Sequence, residues 1–257
     1  MGISTKGVFH YTKSLDNIIK ILTDEFFPSY CKENMIYGVK KYSYAIPMIS
    51  FCDIPLTDIQ YHTDKYGSFA IGFTREWTVK NRLNPVVYID KNSRLASGLE
   101  ETLNFIFLDW HEWLEDDDFD NFYNKAYKGA INVIHSSKNF EGRLTRDGIE
   151  NDYNFYEERE WRYIPQINDS HVTEYPDIIW EDDFDDLGKR FPSKPHFKHY
   201  GIKIKAKDIK YLIIPDKKYL SELLIKLKNI KGLCDNDDDY NYLITNIMTL
   251  DKIKEDF

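Results

Sequence analysis

The 257-residue chain carries 34 Lys and Arg against 43 Asp and Glu, a net charge of −9, with 42% hydrophobic and 30% charged residues. This composition excludes a disordered chain and a membrane-spanning one, because its apolar runs fall far short of the roughly 20 residues that cross a bilayer. The acidic total disfavours non-specific coating of nucleic acid while leaving room for a local basic groove.

In chain order, a strand is expected at residues 8–12, then a helix capped by Ser14, with Leu15, Ile18, Ile19, Leu22 and Phe26 on one face and Pro28 as its stop. Strands follow at 48–51, 69–73 and 86–89. The longest helix is expected over 99–114, then an acidic loop at 115–120 and a second helix near 122–134. Strands are read at 159–165, at 202–206 from alternating apolar and basic residues, and at 211–214, which Pro215 ends. Leu220 to Ile230 and Leu243 to Ile247 stripe two closing helices. Strands at both ends of a helical middle make an α+β class. Repeats and flexible linkers are absent, so residues 1–257 read as one domain, with 174–200 a charged loop insertion.

Charge is segregated inside that insertion and beyond it. Residues 174–186 hold seven acids and no Lys or Arg, and residues 189–210 hold eight Lys or Arg against Asp208 alone. The plain reading is a solvated loop followed by a lysine-faced edge strand, and the functional one is a polyanion-facing strip. Three cysteines without a CxxC pair fit reduced thiols in a cytoplasmic protein. The N-terminus shows no secretory signal.

Several signatures are missing. No phosphate-binding GxxxxGK[ST], no GxGxxG and no GxSxG is present. His111-Glu112-Trp113-Leu114-Glu115 has Glu where a zinc helix needs its second His, and His196 and His199 could meet on a helical turn as ligands, but their neighbours Pro195 and Lys198 suggest a basic loop, so no metal is expected. Acidic runs at 116–118 and 237–239 lack the pattern of a calcium loop.

Three segments carry chemistry. In Phe9-His10-Tyr11-Thr12, strand alternation puts His10 and Thr12 on one face and the two rings on the other. In residues 156–163, an extended chain would place Glu158, Glu160 and Arg162 on one face, the carboxylates about 7 Å apart. Like charges at that range raise one pKa and suit stabilising a developing cation or activating a hydroxyl; the plain alternative is an exposed Glu–Arg ladder. In residues 46–56, Ser50 and Phe51 end an apolar strand before a Pro-bounded turn, and Tyr66 before Gly67 could set a ring over a cleft. The plain alternative is a tight turn and a core aromatic, and most of the 16% of aromatic residues read as core.

FHYTKSLDNIIKIL, AIPMISFCDIPL, YGSFAIGFTREW with NPVVYI, and EEREWRYIP resemble the abortive phage resistance family AbiGi, over residues 7–165 and in the closing IKYLIIP strand. Members of that family are described as the antitoxin partner of an abortive-infection pair. A strand with His-x-Thr followed at once by a helix also resembles, more distantly, the opening of ADP-ribosyltransferase folds, including DarT-type enzymes. That resemblance implies a central split antiparallel or mixed sheet with flanking helices and NAD as substrate, without a metal. His10 would bind the nicotinamide ribose with Thr12 in support, Tyr66 (or Tyr61) would stack on nicotinamide, and Ser50 and Phe51 would line the floor. Glu160 would be the catalytic acid and Glu158 would orient or deprotonate the acceptor, with Arg162 in the cofactor-binding set or neutralising Glu160. The implied function is phage defence by transfer of ADP-ribose from NAD to a nucleic-acid or protein acceptor, or by hydrolysis of NAD. The alternatives are a catalytically inactive antitoxin that neutralises a cognate toxin, and a nucleic-acid-binding protein using the 189–210 strip. No membrane partner is expected.

Overall fold

The structure, a computed structural model, describes residues 6–107, 117–146, 149–167, 176–184, 197 and 199–256. Its N-terminal strand β1 (Gly7–Thr12) leads through Ser14 into helix α1 (Leu15–Thr23), as the sequence predicts. The Ser14 hydroxyl accepts from the Asn17 amide at 3.2 Å and satisfies one orphan N–H of the first turn. The helix stops at Thr23, and Phe26 instead exchanges two backbone hydrogen bonds with Ile202, each 2.9 Å long.

A long hairpin follows, β2 (Ser29–Tyr37) and β3 (Lys40–Cys52), turning at Gly38 with φ +60°. The strand expected at 48–51 is the last part of the 13-residue β3. Its earlier part hides from a period-two reading because Tyr42, Ser43, Tyr44 and Ala45 are all buried, so both faces are covered. Beyond it lie α2 (Ile59–Tyr66), β4 (Phe69–Thr74), α3 (Arg75–Lys80), β5 (Asn84–Pro85) and β6 (Val87–Ile89).

The helical middle is α4 (Arg94–Phe107) and α5 (Asp117–His135); Trp110, Trp113 and Leu114 lie outside the described residues. Residues 117–120 are helical rather than loop, since acids suit the first turn of a helix. Strands β7 (Ser137–Asn139), β8 (Glu141–Arg146), β9 (Ile149–Asn154), β10 (Glu160–Tyr163) and β11 (Ile179–Trp180) come next. The last of these pairs with Tyr44 and Ala45 of β3, so part of the supposed insertion is sheet. The chain closes with β12 (Ile209–Ile214), α6 (Leu220–Lys228), α7 (Asp237–Thr245), β13 (Ile247–Thr249) and α8 (Leu250–Asp256). Two expectations fail here. Residues 202–206 form no strand, and Ile247 opens β13 instead of ending a helix.

The main sheet runs β13-β12-β4-β1-β3-β10-β5, with β2 and β11 also on β3; β6 with β7 and β8 with β9 form separate ribbons. It is mixed, since β12 and β13 are parallel while the other main-sheet pairs described are antiparallel, and helices flank it. One core, around Ile18, Phe51, Phe73, Trp77 and Leu223, covers one face. A second, around Phe9, Ile59, Ile213 and Ile253, covers the other, and a third joins the hairpin to α4 and α5 through Tyr44, Ile46, Leu103 and Ile134. No described helix is long and apolar enough to cross a membrane.

Gly67 ends α2 at φ +113°, and a Cβ there would stand 2.3 Å from the Thr12 carbonyl oxygen, which is backbone and cannot swing aside. Gly67→Ala is therefore expected to destabilise the fold by about 1–3 kcal/mol in urea unfolding. A loss within a few tenths would show that β1 and α2 are not so tightly abutted.

Candidate functional site

The site begins where β1 and β3 part. Along β4, β1 pairs over all six residues, from Gly7↔Thr74 to Thr12↔Phe69. Against β3 it pairs at Phe9↔Cys52 alone. A continued ladder would set Tyr11 opposite Ser50. Instead the His10 ring enters the gap, its Nδ1–H donating to the Ser50 carbonyl at 3.0 Å. A carbonyl only accepts, so Nδ1 carries the proton. The ring stands edge-on to Phe26 and Phe51, centroids 4.6 and 5.9 Å away.

Strict alternation would put His10 and Phe51 on one face of the sheet and Ser50 and Glu160 on the other. The fork removes that separation. It opens a cavity of about 290 Å³ whose wall includes His10, Ser50, Phe51, Tyr66, Glu158 and Glu160. A second cavity of about 550 Å³ shares His10 and Ser50 with the first and adds Thr12, Asn17 and Lys20. Thr12 is fixed there by the Asn17 amide, which donates to its hydroxyl at 2.8 Å. Tyr61 lies on α2 with Tyr66.

Glu158 and Glu160 meet by a different route from the extended strand read in the sequence. Residues Phe155–Glu158 form a 3-10 turn capped by Asn154, and Arg159 is left-handed at φ +43° before β10 begins. The turn, not strand alternation, swings Glu158 toward Glu160. Between them lies Lys138 of β7, 2.8 Å from Glu158 Oε2 and 3.0 Å from Glu160 Oε2. The Tyr66 hydroxyl donates to the other oxygen of Glu158.

Glu160 is held from every side. Its Oε1 accepts from the Ser50 hydroxyl at 2.9 Å and from Arg162 Nε at 2.8 Å, and Oε2 accepts from Lys138 and from Arg162 Nη2 at 3.2 Å. The Tyr88 hydroxyl takes its backbone N–H at 2.7 Å. Burial would raise the Glu160 pKa, but the Arg162 and Lys138 charges outweigh it and hold it well below the ordinary carboxylate value. The like-charge elevation expected from the sequence is thus overturned for Glu160, because two cations share the site. Burial likewise works against the Lys138 ammonium, which the neighbouring glutamates keep charged far above the usual lysine range.

Arg162 is not part of the cavity wall, contrary to its expected place in the cofactor-binding set. Only 1% exposed, it spends its guanidinium on Glu160, on Glu33 at 3.1 Å, and on the His135 and Ser137 carbonyls at 2.9 and 3.3 Å. It does lie beside Glu160 and neutralise it, the other expectation for this residue. Glu33, Arg162, Glu160, Lys138 and Glu158 form a chain of alternating sign. Three acids against two bases give this chain of side chains a formal charge of −1.

His135, behind Arg162, has its pKa lowered from 6.5 to about 4, first by burial and then by the Arg162 charge. The fold keeps this imidazole neutral, while the unfolded chain binds a proton below about pH 6.5. Its contribution is therefore complete above pH 6.5 and is lost as pH falls toward 4, a change of about 3 kcal/mol. Glu160, whose folded pKa is also lowered, extends the loss below its ordinary value of 4.5. Urea midpoints should fall steadily from pH 7 to 4 and recover part of that fall in His135→Gln. A midpoint flat over that range would contradict the assignment.

Sequence reasoning missed Lys138, Glu33, Tyr88 and His62. His62 sits one turn before Tyr66, 5% exposed and edge-on to Tyr66 and Tyr11. Its i, i+4 spacing from Tyr66 was a usable signal, whereas Lys138 stands in no motif. Among the described residues no cluster of three His, Cys, Asp or Glu could hold a metal ion. His196 and residues 111–115 lie outside them, as do 189–196 of the basic strip. Of that strip, Lys203 reaches Glu25 at 3.5 Å and Lys205 reaches Asp235 at 2.8 Å.

Residues 24–215 match the family described as "Putative abortive phage resistance protein AbiGi, antitoxin". An abortive phage resistance protein AbiGi of Lactococcus lactis subsp. cremoris is 27% identical over 251 residues, covering 90% of this chain and 99% of that protein. No solved structure matches the chain.

Proposed function

The chain belongs to the AbiGi family of abortive phage resistance proteins, and from that premise we propose that it acts in phage defence through the forked cavity, as an NAD-binding cleft that transfers ADP-ribose or hydrolyses NAD. The observation carrying this reading is the convergence of His10, Tyr66 and Glu160 on one cavity whose buried charges leave one negative in surplus. Breaking the bond between nicotinamide and ribose sends the electron pair to the nicotinamide nitrogen and leaves positive charge on the sugar. A fixed, desolvated carboxylate stabilises that charge without reorganising. Glu160 supplies it, Glu158 takes the proton of the attacking water or acceptor hydroxyl, and Tyr66 offers a ring for the planar leaving group. The smaller cavity suits the nicotinamide riboside half, and the larger, with Lys20 and Thr12, the remainder.

A second reading has its own observation. Glu160 already accepts four hydrogen bonds, two of its partners being cations, which blunts its field toward a ligand. That favours an inactive member that neutralises a cognate toxin, in keeping with the family description. Calorimetric titration with NAD separates the two. The NAD reading expects binding that His10→Ala weakens about tenfold, the worth of one good hydrogen bond. Absence of binding would put the antitoxin reading ahead.

A further inference from the structure

Lys138 reaches the cavity from the ribbon of β6 and β7, outside the main sheet, and both its neighbours are anchored to carry it there. The Ser137 carbonyl accepts from Arg162 at 3.3 Å, and the Asn139 side chain bonds the Ile36 N–H and carbonyl at 2.7 and 2.8 Å. Its register partner in the ribbon is Tyr88, whose hydroxyl holds the Glu160 N–H. The side chain is 15% exposed and bridges Glu158 and Glu160 from inside the cavity wall.

We propose that Lys138 is the positioning residue of this cavity: its ammonium keeps Glu158 and Glu160 both ionised and side by side, and so fixes the surplus at one negative charge. The groups coupled to it are Glu33, Glu160 and Arg162 from the sheet, Glu158 from the 3-10 turn and Tyr88 from β6, and Cys52 of β3 and Tyr66 and His62 of α2 line the same cavity. Without Lys138, three acids would face Arg162 alone, and nothing would bridge the two cavity carboxylates. Two neighbouring carboxylates without their bridging cation raise one another's proton affinity, so one would take up a proton as the pH falls through neutral. A salt bridge that served stability alone would, once lost, let a carboxylate return only to its ordinary range and leave proton uptake between roughly pH 8 and pH 5 nearly unchanged.

This role deepens the NAD reading, but its test does not depend on turnover. Potentiometric titration of the folded proteins should show Lys138→Met taking up about one more proton than wild type between roughly pH 8 and pH 5. Lys138→Arg should match wild type, and adding Glu158→Gln to Lys138→Met should abolish the extra proton. Lys138→Gln, which keeps hydrogen bonds without charge, should show the same extra proton if the methionine variant does not fold. An unchanged proton count in a variant with native circular dichroism would overturn the proposal. If wild type turns NAD over, Lys138→Met should add a rising limb to its pH profile across that range. If it neither binds nor turns over NAD, the NAD reading fails and the proton count still decides for or against Lys138.

Discussion

Arg162→Ala should destabilise the fold by about 3–5 kcal/mol, the cost of breaking a buried ion pair from one side. The guanidinium is 1% exposed and contacts two carboxylates and two backbone carbonyls. Its removal leaves Glu160 with Lys138 as its one remaining cation, strips the 3.1 Å guanidinium contact from Glu33, and leaves both carbonyls without this donor. Arg162→Lys keeps the charge but not the planar fork, and should fall between wild type and alanine. Urea unfolding at pH 7 reads both. A loss below about 1 kcal/mol for the alanine variant would mean that water already reaches this network.

If the cleft cleaves NAD as proposed, Glu160→Gln should slow nicotinamide release by about 10²–10³-fold, the usual cost of removing one preorganised electrostatic stabiliser. The variant should still fold. Glu33 keeps Arg162 and Glu158 keeps Lys138, so the remaining charges balance. The amide nitrogen must face donors that the carboxylate accepted, which costs about 1–3 kcal/mol of stability. NAD affinity should change by less than tenfold, because the ground-state ligand gains little from this oxygen. A parallel fall in affinity and rate would instead mark Glu160 as a binding group.

His-x-Thr and Glu-x-Glu single out His10, Thr12, Glu158 and Glu160 one by one, because each pair is local in the chain. Their meeting was not. His10 and Glu160 belong to opposite faces by alternation, and they meet only because β1 leaves β3 after a single pairing, a long-range event with no local mark. An extended chain is the wrong geometry for Glu158, which meets Glu160 because Arg159 turns left-handed before β10. Lys138 is 20 and 22 residues from its two carboxylates and depends on a ribbon pairing that single-sequence periodicity does not report. Alternation at 202–206 reports burial, since Ile202, Ile204 and Ala206 lie in the first core, but its pairing stops at the single Phe26↔Ile202 bridge and makes no strand. Strand β2 shows no period-two pattern because Lys32, Glu33 and Asn34 run together in its middle. Fold class and individual side chains therefore follow from the sequence, while the fork and the ion chain that make a site of them need the tertiary structure.

The central claim is that His10, Tyr66 and Glu160 form one cleft that handles NAD. Nicotinamide released from NAD by purified wild-type protein, measured beside Glu160→Gln, tests it most directly. Release by the wild type and a rate at least a hundredfold lower in the variant are expected, in line with the loss of one electrostatic stabiliser. Equal release by both proteins, or neither release nor binding of NAD by the wild type, would contradict it.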